Sequence, residues 1–142
     1  MNTVHFLSRT DDWETPQDLF DKLNSFYQFQ LDVCATEKNA KCQNFISPEQ
    51  DGLLQDWAKV NWMNPPYGRE ISHWIKKAFR EAEKGNKTVA LLPSRTDTKW
   101  FHDYIYRKHE IRFIKGRLKF GNATNAAPFP SMIVAFNPST NQ

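Results

Sequence analysis

Two hydrophobic rhythms alternate along the chain, and the switches between them outline its elements. Leu19, Phe20, Leu23, Phe26 and Tyr27 recur at three- and four-residue spacing, the stripe of an amphipathic helix that ends near Tyr27. Thr15 suits its N-cap, Pro16 its first helical position, and Asp18 places an acid near its amino end. The rhythm then shortens to two. Phe29, Leu31 and Val33 alternate with Gln30 and Asp32, which predicts a strand over 29–33. Residues 35–52 show no clean period and predict loop, with a helical turn or a short strand at 44–46. Leu53, Leu54 and Trp57 predict one buried turn before a strand at 59–63. Helical spacing returns with Ile71, Trp74, Ile75, Ala78, Phe79 and Ala82, leaving Arg80, Glu81, Glu83 and Lys84 outside, and Lys84-Gly85 is a stop signal. The apolar run 88–92 predicts a strand buried on both faces. Asp97 is the expected cap of a further helix bearing Trp100, Phe101, Tyr104 and Ile105. Strands follow at 110–114, 117–120 and 131–136, the last two joined as a hairpin through 121–130. The polar ends, 1–12 and 137–142, read as tails.

Strand–helix alternation is the α/β signature of a mostly parallel sheet flanked by helices, and the closing strands, with no helix between them, predict an antiparallel edge. No linker or internal repeat divides the chain, so residues 1–142 read as one domain. Its 142 residues are 39% hydrophobic and 14% aromatic, with 5 Trp and 11 Phe, which supports a packed core and argues against wholesale disorder. A net charge of +3 permits a nucleic-acid partner without demanding one. No apolar core segment of a signal peptide stands near the start and no run reaches membrane length, so a cytoplasmic location is expected. Cys34 and Cys42 form no CxxC pair, and the histidines are scattered, so no metal site is expected. The absence of GxGxxG, GxxxxGK[ST] and GxSxG patterns argues against dinucleotide, P-loop and serine-hydrolase chemistry.

The stretch with the most pointed chemistry is Asn64-Pro65-Pro66-Tyr67, between the strand at 59–63 and the helix beginning near Ile71. Carboxyl ends of strands are where open α/β sheets place their ligands. Two prolines stiffen the loop and remove two N–H donors, leaving carbonyl acceptors beside one amide and one aromatic ring. Such a set suits a planar amino group, bound through its hydrogens and stacked on its face. Asp32 and Asp56 are expected on the same edge, as is Arg95, which follows the strand at 88–92. Arg95, Lys99, Lys115, Arg117 and Lys119 concentrate positive charge in the last third, as phosphate contacts require.

In order along the chain stand Asp12-Trp-Glu-Thr-Pro-Gln-Asp-Leu-Phe20, Leu31-Asp-Val-Cys-Ala35, Asn39-Ala-Lys-Cys42, Asp51-Gly-Leu53, Asn64-Pro-Pro-Tyr67, Leu92-Pro-Ser-Arg-Thr-Asp-Thr-Lys-Trp-Phe101, Gly116-Arg-Leu-Lys-Phe-Gly121 and Ala127-Pro-Phe-Pro-Ser-Met132. This series resembles the small phage and prophage DNA N6-adenine methyltransferases, the phage Dam-like family, over about residues 12–136. The resemblance implies a Rossmann-like methyltransferase fold, S-adenosylmethionine as methyl donor, DNA as partner and a bacterial host cell. It implies cofactor contacts at Trp13, Thr15, Pro16, Asp32, Cys34, Ala35, Asp56 and Asn64, and catalysis at Asn64, Pro65, Pro66 and Tyr67, with Tyr67 stacking on the target base. Arg95, Lys99, Lys115, Arg117 and Lys119 are the expected DNA contacts. The chain departs from many such enzymes at one place: where they carry FxGxG, it has Asp32-Val-Cys-Ala-Thr36. Methylation of RNA or of a protein amide, and a non-catalytic nucleic-acid-binding module, are the alternatives.

Overall fold

A computed structural model describes residues 12–139; most of the expected tails, 1–11 and 140–142, lies outside the described residues. The elements are α1 (Gln17–Tyr27), β1 (Leu31–Asp32), a 3₁₀ turn (Gly52–Leu54), β2 (Val60–Met63), α2 (Ile71–Glu83), β3 (Lys87–Pro93), α3 (Lys99–Tyr104), β4 (Glu110–Phe113) and β5 (Ser131–Phe136). The strands form one sheet in the order β1-β2-β3-β5-β4. β1, β2 and β3 pair in parallel, while β5 runs antiparallel to both β3 and β4.

The sheet is therefore mixed, and its antiparallel strand is interior, where an antiparallel edge was expected. Burial explains the placement. β5 is buried along its whole length and β3 along all but Lys87, so these apolar strands take the middle. β4 exposes Glu110, Arg112 and Phe113 and takes the edge. The expected strand at 117–120 does not form. Lys115, Arg117 and Lys119 face solvent while Phe120 turns inward, and β5 finds its hairpin-like partner in β4 instead.

Other differences are local. β1 is shorter than 29–33, but Gln30 N–H donates to the Val60 carbonyl and Val33 N–H to the Trp62 carbonyl, extending its pairing at both ends. Residues 44–46 lie along the outer side of β1: Asp32 N–H donates to the Asn44 carbonyl, Ile46 N–H to the Asp32 carbonyl, and Phe45 bridges Asp32. Pro16, without a side-chain cap, occupies the N-cap of α1 assigned to Thr15. Thr98, whose hydroxyl accepts from Phe101 N–H, caps α3 in place of Asp97. Glu81 is buried, not outward: its carboxylate accepts from Lys77, Lys84 and Asn86. Burial alone would raise its pKa; those hydrogen bonds outweigh burial and hold it below the usual value.

The core runs through the sheet, with Trp62, Met63, Leu91, Leu92, Met132 and Phe136 fully buried. Phe20 of α1 meets Trp62 edge-on at 5.4 Å. α2 lies along β3 and β5 and buries Ile75 and Ala78 completely. These contacts fix the carboxyl ends of β1, β2 and β3 side by side.

Candidate active site

A cleft of about 240 Å³ opens at those carboxyl ends. Its walls come from Trp13, Glu14 and Thr15, from Cys34, Ala35 and Thr36 beyond β1, from Asn64, Pro65 and Pro66 beyond β2, and from Pro48 and Asn122. Asn64 leaves β2 directly, and the two prolines after it end the strand.

The Asn64 side chain is oriented by what faces it. Its Nδ2 donates to the Trp13 carbonyl and, at 2.9 Å, to the Thr15 hydroxyl. A backbone carbonyl can only accept, so the amide nitrogen must lie on that side. Among the described residues, Asn64 Oδ1 is left buried with no hydrogen-bond partner. A buried orphan acceptor is unfavourable by about 1–3 kcal/mol, and its presence in a cleft marks a place where a donor belongs. Thr15, expected as a helix cap, instead holds this amide.

The exit of β1 is organised differently from a glycine cradle. The N–H groups of residues 33–36 are all used inside the protein: Val33 to the Trp62 carbonyl, Cys34 to Asp32 Oδ1, Ala35 to the Ile46 carbonyl, Thr36 to Asn39 Oδ1. Asp32 does not line the cleft. It is 3% exposed, and its carboxylate also accepts from Lys41 N–H at 3.0 Å. It ties the loop down from inside the fold. Burial raises its pKa to about 6, against the lowering effect of the Lys41 and Cys34 amides. An acid whose folded pKa exceeds its unfolded value stabilises the fold most when protonated. The contribution of Asp32 is therefore full below its unfolded value of 3.8 and is lost as pH rises through about 6. Over that window it amounts to about 3 kcal/mol. Asp32→Asn is expected to flatten the pH dependence of unfolding free energy between these values, as measured by urea titration.

Asp56 is also displaced from its expected place. It precedes β2 and so lies at the opposite edge of the sheet from Asn64, exposed and 3.7 Å from Lys84. Pro16 is not in the cleft wall. Tyr67 is 3% exposed and does not line the cleft; its hydroxyl donates to the Leu91 carbonyl at 2.9 Å. Phe120 and Phe129 pack edge-on against its ring at 6.2 and 5.7 Å, so the ring is covered and offers no face for a base to stack on in this conformation. Arg95 is half-buried and donates from Nη1 to the Tyr67 carbonyl at 2.9 Å, bracing the loop from β3. Lys99 is exposed and paired with Asp103. Lys115, Arg117 and Lys119 are exposed on the β4–β5 connection.

Comparison with known proteins decides the family. A family model described as DNA N-6-adenine-methyltransferase (Dam) matches residues 3–141. The chain belongs to the DNA N-6-adenine-methyltransferase (Dam) family. A DNA N-6-adenine-methyltransferase of Haemophilus phage HP1 is 36% identical over 141 residues, 92% of this chain and 81% of that protein. A DNA N-6-adenine-methyltransferase of Escherichia phage T1 is 35% identical over 111 residues, 76% of this chain and 46% of that protein.

Within this Dam-family chain, Asn64, Thr15, Trp13, Cys34 and Ala35 come together as the motifs imply. Glu14, Thr36, Asn39, Pro48 and Asn122 were not anticipated there. Asn122 is the most distant in sequence. Its Oδ1 accepts from Glu14 N–H at 3.0 Å, its Nδ2 donates to the Asp12 carbonyl at 3.0 Å, and Gly121 N–H donates to the Glu14 carbonyl. The β4–β5 connection is thereby fastened to the segment that orients Asn64. Its only sequence signal was the Gly121-Asn122 turn pair. Among the described residues, no group of three or more His, Cys, Asp or Glu could hold a metal, and no helix is long and apolar enough to cross a membrane.

Proposed function

We propose that the protein transfers a methyl group from S-adenosylmethionine to the N6 amino group of adenine in DNA. The observation that carries this reading is the Asn64 side chain at the cleft, whose buried Oδ1 has no hydrogen-bond partner among the described residues. A Rossmann-like methyltransferase arrangement fits the parallel β1-β2-β3 unit, with the site at its carboxyl edge.

The cleft wall suits the donor. Among the described residues it carries the Glu14 carboxylate and no Lys or Arg, which favours a cation. When bound, S-adenosylmethionine supplies a methyl group made electrophilic by a sulfonium. Trp13, Thr15, Cys34, Ala35 and Thr36 would hold it, through side chains and carbonyls, because the amides at 33–36 are already committed.

The adenine amino nitrogen is a poor nucleophile, since its lone pair is delocalised into the ring. Asn64 Oδ1 and the Pro65 carbonyl would accept its two hydrogens and favour the pyramidal nitrogen that attacks. The N–CH3 bond forms as the sulfonium S–CH3 bond breaks to leave a thioether, and the methylated nitrogen then loses one proton to solvent. The contribution is preorganised electrostatics with proximity, without a covalent enzyme intermediate. The base must leave the duplex stack to reach Asn64. Pro66 stiffens the loop. Tyr67 pins it to β3 through the Leu91 carbonyl, and its ring and that of Phe129 give the loop an apolar floor.

The deciding experiment is labelled methyl transfer from S-adenosylmethionine to DNA, RNA and protein acceptors, followed by location of the modified atom. Label at N6 of adenine in DNA is expected; label confined to RNA or protein refutes the assignment. Absence of any transfer, with no heat of S-adenosylmethionine binding by calorimetry, would identify a non-catalytic module. Thr15 gives a sharper test. Thr15→Val keeps the side-chain shape but removes one acceptor from the Asn64 amide, and is expected to lower kcat roughly tenfold, about the value of one hydrogen bond. Thr15→Ser restores the rate. A change in KM alone would show that Thr15 serves binding and does not orient Asn64.

A further inference from the structure

Residues 114–130 connect β4 to β5 without helix or strand, and their two ends are firmly seated. Phe120 is 1% exposed and meets Trp13 at 5.3 Å; Ala127 is 3% exposed; Phe129 meets Trp13 at 5.1 Å. Ala127 N–H donates to the Leu118 carbonyl at 2.8 Å and closes the base of the loop, and Ala123 N–H donates to the Phe120 carbonyl. Between these anchors Gly121, Asn122, Thr124, Asn125 and Ala126 are exposed. The tip is thus displayed on a rigid foundation, as recognition loops are.

Its position and chemistry are equally pointed. A depression of about 400 Å³, lined in part by Asn122, Thr124 and Asn125, adjoins the cleft and shares Asp12, Trp13 and Asn122 with it. The Asn122 amide is spent on Asp12 and Glu14. Thr124 and Asn125 make no side-chain hydrogen bond among the described residues. Lys115, Arg117 and Lys119 are exposed on the arm leading into the tip. This rim stands beside the cleft wall to which Asn64 contributes. Positive charge there meets phosphates, and an amide with a hydroxyl beside it can read base edges.

We propose that residues 121–126 read the bases flanking the target adenine, with Thr124 and Asn125 contacting base edges and Lys115, Arg117 and Lys119 holding the adjoining phosphates. This rests on the DNA adenine methyltransferase reading above. The test uses the full chain, S-adenosylmethionine and a pool of duplexes in which the bases around one adenine are randomised, with N6-methyladenine mapped by sequencing. The unaltered chain should favour particular flanking bases. A Thr124→Ala, Asn125→Ala variant should retain transfer while that preference falls at least about fivefold, the lower end for loss of a good base contact. An Arg117→Ala, Lys119→Ala variant should weaken methylation evenly across sequences. It should also make the slope of log binding constant against log salt shallower by about two.

An unchanged preference in the Thr124, Asn125 variant overturns the loop assignment alone, as does an unaltered chain with no preference. A variant that melts like the unaltered chain yet transfers to no sequence overturns it too, since its residues would then serve the chemistry. Failure of the unaltered chain to methylate any DNA overturns the functional reading and this inference together.

Discussion

Asn64→Ala should lower the rate of methyl transfer by about 10²–10³, the loss typical when one preorganised polar group at a reacting centre is removed. Its melting temperature should move by only a few degrees. The two expectations come from the same geometry. The variant loses the donations from Nδ2 to Trp13 and Thr15, each worth about 1 kcal/mol net. It also removes the orphaned Oδ1, whose burial is unfavourable by about 1–3 kcal/mol. Gains and losses offset in the folded chain, whereas nothing replaces the acceptor in the transition state. Single-turnover transfer to a saturating adenine duplex, with thermal unfolding in parallel, checks both. Near-normal turnover by Asn64→Ala removes Asn64 from the chemistry and with it the assignment. A collapse of stability would show Asn64 to be mainly a strut for the segment at 13–15.

What the sequence disclosed about the fold followed how local the forces were. α2 was legible almost to the residue, because its apolar stripe and Gly85 stop are short-range signals. β2, β3 and β5 were legible as apolar runs. The order of the strands was not. Placement of β5 between β3 and β4 depends on which surfaces must be covered, and the alternation at 117–120 suggested a strand whose partner position was already filled. The site shows the same division. Asn64 at a strand end was visible from a loop of four residues, but its partners came from contacts about fifty positions away, and Asn122 from more than a hundred. Thr15 looked like a helix cap because capping is the local use of a hydroxyl; the tertiary contact with Asn64 overrode it. Asp56 was misplaced for a simpler reason: it enters β2 at the end opposite to the one where Asn64 leaves it.

Gly52→Ala is expected to destabilise the protein by about 3 kcal/mol or more, at or beyond the upper end for overpacking a tight site, and to weaken S-adenosylmethionine binding. A Cβ at Gly52 would stand 2.4 Å from the Val33 carbonyl oxygen and 2.9 Å from two atoms of the Trp74 ring. Neither neighbour can yield cheaply. Val33 is fully buried, and its N–H is bonded to the Trp62 carbonyl. Trp74 stacks on Trp57, whose Nε1 donates back to the Gly52 carbonyl at 2.9 Å. The 3₁₀ turn, the exit of β1 and α2 therefore meet at a point where only a hydrogen fits. Relief of the clash must push Val33 outward, and Cys34 and Ala35, which follow it, form the cleft wall. Stability and cofactor affinity should fall together, read by thermal unfolding and by calorimetric titration with S-adenosylmethionine. Gly116→Ala supplies the contrast. Among the described residues no atom beyond its chain neighbours lies within 4 Å of its would-be Cβ, and at φ +78° the variant carries left-handed backbone strain, about 1–2 kcal/mol. Its cofactor affinity should match that of the unaltered chain. Equal behaviour of the two variants would mean that the junction at Gly52 yields, and that the cleft wall does not depend on it.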